Sequence, residues 1–244
     1  MKTIKYLFLI ILFSTILHNG YSQSYDKIIY DAYINNNTTE WEEVLKEMEK
    51  NSLNTVEEKL QLINYYYGYI GYLIGNKKKD QAKTYIKKGQ VLIDEVLQDS
   101  PENVTAYAYK GSFLSFDMAV SKIKAFVAAP KSMRYINKAY ELDPHNIQAV
   151  TDKGNLMSYA PAIAGGDKKE AVKYYEQAIS ILENKNDTDE NWFYLNLLVT
   201  LAETYKDINE SEKAEKTYKK AIKKEPKLTW IKDIYPHFSI EDEI

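Results

Sequence analysis

The chain contains no cysteine. That removes disulfides, thiolate nucleophiles, cysteine-based zinc sites and lipid attachment at a cysteine near the start. Glycine and proline are sparse, at 9 and 6 in 244 residues, so no linker rich in them divides the chain and a single unit is expected. Runs of alternating β-branched residues, which would read as strands, are few. A strong charge of one sign is missing as well. The formal net charge is −3, and the interspersed lysines and glutamates argue against the basic face that nucleic acid requires, so nucleic acid is disfavoured as a partner.

Long apolar runs are almost absent too. The longest, Tyr6 to Leu17, covers 12 residues. A membrane-spanning helix needs roughly 20. With Lys2 and Lys5 before it and Gly20-Tyr21-Ser22 after it, the run has the form of a secretory signal peptide over residues 1–22, cleaved after Ser22. Cleavage takes two lysines and no acid from the chain, which moves the charge from −3 to −5. The expected product is soluble and exported, periplasmic or secreted, with residues 23–244 forming one domain and no membrane span. Richness in Lys, Asn, Ile and Tyr, with a short signal followed by Gln23, is associated with a bacterial, Bacteroidetes-like source.

From Ser24 onward the pattern is helical. Apolar residues recur at three- and four-residue spacing over 24–34, 39–50, 55–75, 79–98, 103–121, 131–142, 146–160, 167–183, 189–206, 210–224 and a short stretch near 228–235. Helix starts carry capping signals at Thr55-Val-Glu-Glu58, Asp167-Lys-Lys-Glu170 and Asn209-Glu-Ser-Glu212. Two segments repeat without a gap at an offset of 43: Pro101/Pro144, Asn103/Asn146, Ala106/Ala149, Lys110/Lys153, Gly111/Gly154 and Ser115/Ser158 correspond. A repeat of that length signals stacked helical units, each burying its apolar face on the next.

Near the C-terminal end the chain reads Leu198-x2-Leu201-Ala202-x2-Tyr205, Ala214-x3-Tyr218-x2-Ala221 and Pro226. This spacing resembles the tetratricopeptide repeat, with Leu, Ala and Tyr where that pattern has Trp, Gly and Phe. Gly154 with Ala171-x3-Tyr175-x2-Ala178 fits it, as does Gly111 with Ser132-x3-Ile136-x2-Ala139. The best repeats cover 104–144, 147–183 and 195–228, preceded by degenerate pairs at 24–50 and 55–98. The resemblance implies an all-α fold, a right-handed superhelical solenoid of about five antiparallel helix pairs. It also implies a concave groove lined by fixed positions on the first helix of each pair. Those positions are Asn64, Tyr67, Thr105, Ser112, Gln148, Thr151, Asn155, Asn196 and Glu203, a mostly neutral polar wall. A clamp for a C-terminal carboxylate is not expected, because Thr151 stands where such members of the family carry Lys.

Two units are longer than the pattern. From the small residue of the first helix to that of the second, Ala202 to Ala214 spans 12 residues, Gly154 to Ala171 spans 17 and Gly111 to Ser132 spans 21. The extra residues, 160–166 and 122–130, are apolar and should emerge on one edge of the solenoid. Phe126, Pro130, Pro161, Gly165 and Gly166 mark that edge, which is read either as two long turns packed together or as a partner site.

Catalytic and metal chemistry find no support in the spacing. Gly165-Gly166-Asp167-Lys168-Lys169 lacks the preceding strand and the following Ser or Thr of a phosphate loop, and Asp167 would repel an anion there. It reads instead as a glycine turn with an aspartate cap. His145 lies in a Pro-His-Asn turn, away from any base or ligand partner, and paired carboxylates sit among lysines as solvated faces do. No catalytic, metal or cofactor residues are assigned and no cofactor is expected. Tyrosine is abundant, at 22, and densest in "YYYGYIGY" from Tyr65 to Tyr72. There Tyr66, Tyr69 and Leu73 are expected in the core with aromatics filling the space beside Gly68, Gly71 and Gly75, a recognition surface being the alternative. The function expected is a non-catalytic protein-interaction scaffold with a protein or peptide partner. A small-molecule-binding accessory protein of a transporter is the second reading, and an enzyme the third.

Overall fold

The computed structural model describes residues 25–231 apart from 122, 124 and 229. The signal peptide expected over residues 1–22 and its cleavage site therefore lie outside the described residues, as does most of the short helix expected near 228–235.

Among the described residues ten full α-helices follow in order: α1 (25–34), α2 (Thr38–Met48), α3 (Val56–Gly75), α4 (Lys79–Asp99), α5 (Val104–Val120), α6 (Ala125–Leu142), α7 (Ile147–Tyr159), α8 (Lys168–Asn184), α9 (Trp192–Asp207) and α10 (Ser211–Lys224). No strand occurs among the described residues. The starts are set by side-chain caps that satisfy otherwise orphan N–H groups. Asn37, Asn103, Asn146, Asp167 and Asn191 each accept from a backbone N–H of the first turn, and Thr55 with Glu58 forms a reciprocal capping box. The signal at Asn209 acts differently: Asn209 takes φ 64, and α10 begins after Glu210 with no side-chain cap.

Consecutive helices pack as antiparallel pairs, α3/α4, α5/α6, α7/α8 and α9/α10, and the first helices α3, α5 and α7 pack in turn to form an inner wall. The small positions are where helices approach closely. A methyl on Gly111 would meet Ile136 Cγ1 at 2.5 Å, and one on Gly154 would meet Tyr175 Cε1 at 2.7 Å. The last pair buries Leu198, Leu201, Ala202 and Tyr205 against Ala214, Tyr218 and Ala221. This is the solenoid of helix pairs that the repeat spacing predicts.

Three features differ from expectation. First, α6 starts at Ala125, six residues ahead of the predicted 131, and runs through Pro130. The longer insertion is thus largely a helical extension, with Phe126 and Pro130 on its exposed side. Second, α3 is buried nearly all round, Tyr65 and Tyr67 included, because other elements enclose it on several sides. Of its glycines only Gly68 is tightly covered, by Trp41 and Trp192 at 2.7 Å from where a methyl would stand, whereas Gly71 and Gly75 are open. Third, the two ends of the described chain meet. Tyr30 donates to Glu225 at 2.7 Å, and the Trp230 indole N–H donates to the Tyr33 carbonyl at 3.0 Å.

The abundance of tyrosine has a structural cause. Rings sit in the core while their hydroxyls reach the rim and donate to a carboxylate on a neighbouring helix. Tyr25 reaches Glu47 at 3.0 Å, Tyr66 reaches Glu49 and Tyr85 reaches Glu42, both at 2.8 Å, and Tyr194 reaches Glu183 at 2.6 Å. Tyr205 with Glu176 and Tyr218 with Glu203 repeat the arrangement in the C-terminal units. Each clasp couples a large apolar burial to a charge-assisted hydrogen bond.

Candidate functional site

On the inner side of the array, a cleft of about 640 Å³ opens between α1, α3, α5 and α7 and the turn before α9. Its floor is neutral and polar. Asn64 donates to the Tyr109 hydroxyl at 2.8 Å and accepts from the Trp192 indole at 3.2 Å, while Asn146 donates to the Thr105 hydroxyl at 2.8 Å. Its rim is acidic: Asp26, Asp143, Asp187, Asp189 and Glu190 surround it, against Lys27, Lys185 and His145. Three of these charges are partly neutralised, Lys27 by Asp31 and Glu190, Glu190 in turn by Lys27, and Asp189 by Lys224. Carboxylates still outnumber cations at the mouth, so the cleft suits a cationic or amine-bearing group better than an anion.

The predicted groove residues divide into those that line this cleft and those that do not. Asn64, Thr105 and Gln148 line it. Tyr67, Ser112 and Thr151 are no open wall: all three are buried, with the Thr151 hydroxyl donating to the Ile147 carbonyl. Asn155 is tied between the Tyr67 and Tyr175 hydroxyls, both at 2.8 Å. Further along, Asn196 accepts from the Tyr33 hydroxyl of α1 at 3.5 Å, and Glu203 is taken by Tyr218. The physical reason is common to the last part of the groove: α1 lies against it, with Tyr33 packed on Trp192 at 5.9 Å and on Trp230 at 5.5 Å. The chain fills its own groove there and leaves the cleft open at Asn64 and Thr105, with Gln148 buried at its back and donating to Asp152.

Behind the floor lies Asp152, a residue that sequence reasoning missed. It is fully buried, yet no lysine or arginine among the described residues pairs with it; Gln148 donates at 2.9 Å, Tyr67 at 3.3 Å, Asn155 at 3.4 Å, and Ser112 bonds to it as well. Burial pushes its carboxyl up from 3.8 to about 7, although the four hydrogen bonds pull the other way. Burial likewise holds the Tyr67 hydroxyl well above its ordinary value. The only sequence signal for this cluster was the polar run Thr151-Asp152 on a helix whose neighbours pack, and periodicity alone does not rank one polar residue above another.

The inserted edge is built rigidly. The turn Ala162–Ala164 follows Pro161, and the loop closes through Gly166 N–H to Pro161 O at 3.1 Å and Asp167 N–H to Met157 O at 2.8 Å. Gly165 takes φ 86, and a methyl on Gly166 would lie 1.9 Å from the Ala160 carbonyl oxygen, so both glycines are required by the backbone. Asp167 caps α8 through Lys169 N–H at 2.8 Å and Glu170 N–H at 3.4 Å, which accounts for the Gly-Gly-Asp-Lys-Lys motif without a phosphate. The loop holds Ile163 at its tip almost wholly exposed. Among the described residues no group of His, Asp or Glu is arranged to hold a metal, and no helix is long and apolar enough to cross a membrane.

Two stretches, residues 162–185 with α8 and residues 195–227 with most of α9 and all of α10, match the tetratricopeptide repeat family model. A thermophilic TPR protein of Thermus thermophilus superposes with TM-score 0.52 at 15% identity, over 85% of this chain and 89% of that one. The fold is a tetratricopeptide solenoid. MamA of MSR-1 and MamA of AMB-1 align more loosely, with TM-scores of 0.37 and 0.36 at 16% and 15% identity. Those alignments cover 83% of this chain and 95% of the first, and 84% of this chain and 92% of the second. No curated protein matches the chain in sequence. In tetratricopeptide terms, α3, α5, α7 and α9 are the first helices of successive repeats, and the cleft is lined by residues of α1 and α3, by the starts of α5 and α7 and by the turn before α9.

Proposed function

We propose that this chain is an exported, non-catalytic tetratricopeptide scaffold that holds a cationic segment of a partner protein in its concave cleft. The observation that carries this reading is the cleft itself, about 640 Å³ with a neutral polar floor and an excess of carboxylates at the rim. Amide and hydroxyl groups on the floor can pair with an extended peptide backbone, while Asp143, Asp187 and Glu190 attract lysine or arginine side chains from it. Catalysis finds no support in the site: Asp152 is sealed from solvent and His145 stands on an exposed turn. Export rests on residues 1–22 and places the scaffold in the periplasm or outside the cell. The amino terminus of the processed protein, read by mass spectrometry, should be Gln23.

A peptide array probed with the purified chain tests the cleft. Segments rich in lysine or arginine should be selected, and the double variant Asp187→Lys/Glu190→Lys should lose them; selection of acidic segments, or an unchanged profile in the variant, refutes the reading. A small-molecule-binding role is the second reading, because the cleft volume falls within the range of ligand pockets. A thermal-shift screen separates the two, since a metabolite that binds only the native state raises the melting temperature.

A further inference from the structure

The inserted edge carries a second surface that the cleft does not explain. Seven large apolar side chains are markedly exposed among the described residues, and four of them are on the two insertions: Ile123, Phe126 and Ile163 at 93, 94 and 99%, and Val127 at 64%. Exposed apolar groups on a braced loop and a helix start have no packing role within the chain. From the first of these insertions a basic stripe continues along α6. Val127, Lys131, Arg134 and Lys138 follow at helical spacing along the solvent side of α6, all exposed, while Ala128, Ser132, Ile136 and Ala139 are buried on the other side. From Met118 to Tyr140 the sequence has five basic residues, including the only arginine of the chain, and no acid, in a protein whose net charge is −3. Along α6, Arg134 and Lys138 border a shallow hollow of about 460 Å³ with Pro130 at one end and Glu141, the first acid after the stripe, at the other.

Apolar tips set beside a concentrated positive stripe are the chemistry of attachment to an anionic bilayer. The tips enter the boundary between headgroups and acyl chains, and the lysines and arginine meet phosphates at the level of the headgroups. A protein partner with an acidic apolar surface would be recognised less well, because fully exposed single side chains on separate elements offer no groove to enclose it. We infer that the edge formed by Ile123, Phe126, Val127 and Ile163, with Lys131, Arg134 and Lys138, docks the protein on the surface of an anionic membrane. The concave cleft would then face a partner from a scaffold held at the bilayer.

Because the chain has no cysteine, a single probe can be placed cleanly. The variant Ile163→Cys, labelled with an environment-sensitive fluorophore, is mixed with vesicles of phosphatidylglycerol or of phosphatidylcholine. A blue shift and gain in emission with phosphatidylglycerol alone is expected. The same label at Val91→Cys, an exposed site on α4, should not respond. In the background Lys131→Glu/Arg134→Glu/Lys138→Glu the response should fall by about tenfold or more, and salt, which weakens the response of the parent protein, should no longer weaken it. These three side chains are exposed, with Lys138 over the Tyr107 ring at 3.9 Å and Arg134 over the Tyr135 ring at 5.5 Å, so circular dichroism should be unchanged and the melting temperature should fall only slightly. No response at position 163, an equal response at position 91, or one unaffected by the charge reversals overturns the inference. The site-specific label also separates docking by this edge from any binding through residues 1–22.

Discussion

Replacing Asp152 with asparagine should stabilise the protein above neutral pH and leave it little changed, or slightly weakened, in acid. The native carboxyl titrates at about 7 because it is buried; in the unfolded chain, open to water, it returns to its ordinary 3.8. Between those values the native state keeps a proton that the unfolded state has released, so the stability contributed by this group falls as pH rises. Well below 3.8 both states are protonated and the group costs nothing. Above pH 7 both are ionised and the whole cost is present. A gap of about three pH units at about 1.4 kcal/mol each sets that cost on the order of 4 kcal/mol. The amide cannot ionise, and it can keep the hydrogen bonds to Ser112 and Tyr67 if the Gln148 amide turns to present its oxygen. An imperfect fit costs about 1 kcal/mol at every pH. Urea unfolding followed by circular dichroism from pH 4.5 to 8.5 should therefore show the variant equal to or just below the wild type in acid and about 3 kcal/mol above it in base. Other groups titrate alike in both proteins and cancel. Parallel stability curves would refute the reasoning, because they would mean that Asp152 ionises in the folded protein as freely as in the unfolded one.

Two glycines should respond in opposite directions to the same change. Gly71→Ala meets open space on an exposed helix face and should stabilise by about 0.5–1 kcal/mol, whereas Gly166→Ala, facing a backbone carbonyl, should destabilise by about 1–3 kcal/mol, both read as melting temperature. Trp192→Ala removes a buried ring that packs on Trp41 at 5.0 Å and leaves Asn64 without its indole donor, which should cost about 3–5 kcal/mol in urea unfolding. Trp230→Ala should leave the interior helices protected while speeding hydrogen exchange over residues 25–34, since it removes the bond to Tyr33.

Much of the architecture was legible because each repeat states its own packing. Gly111, Gly154, Ala202 and Ala214 are small where helices cross, and spacing alone located them. The aspartate cap at 167 and the box at Thr55 are likewise local, needing only neighbours within three residues. What was not legible is long-range. Trp192 covers Gly68 from 124 positions away, and Tyr33 covers Asn196 across 163. Neither pairing leaves a periodic trace, so a groove drawn from repeat positions came out longer than the one that is open. Asp152 escaped for the complementary reason: its identity as a buried charge depends on α3, α5 and α7 together, not on α7.

Stacked repeats ordinarily melt from their ends, each unit holding only its neighbours, so that truncated arrays and partly frayed states are common. Here Tyr30 and Glu225, 195 positions apart, are bonded to each other. Terminal units that hold one another convert a linear array into a loop of mutually dependent parts. Fraying at either end then breaks contacts at both, and unfolding should approach an all-or-none transition. The same closure delays completion of the fold until the last repeat has emerged, since the N-terminal helix has no finished seat before then. If the chain is exported unfolded, as proposed above, that dependence would keep it open until its last repeat has crossed the membrane.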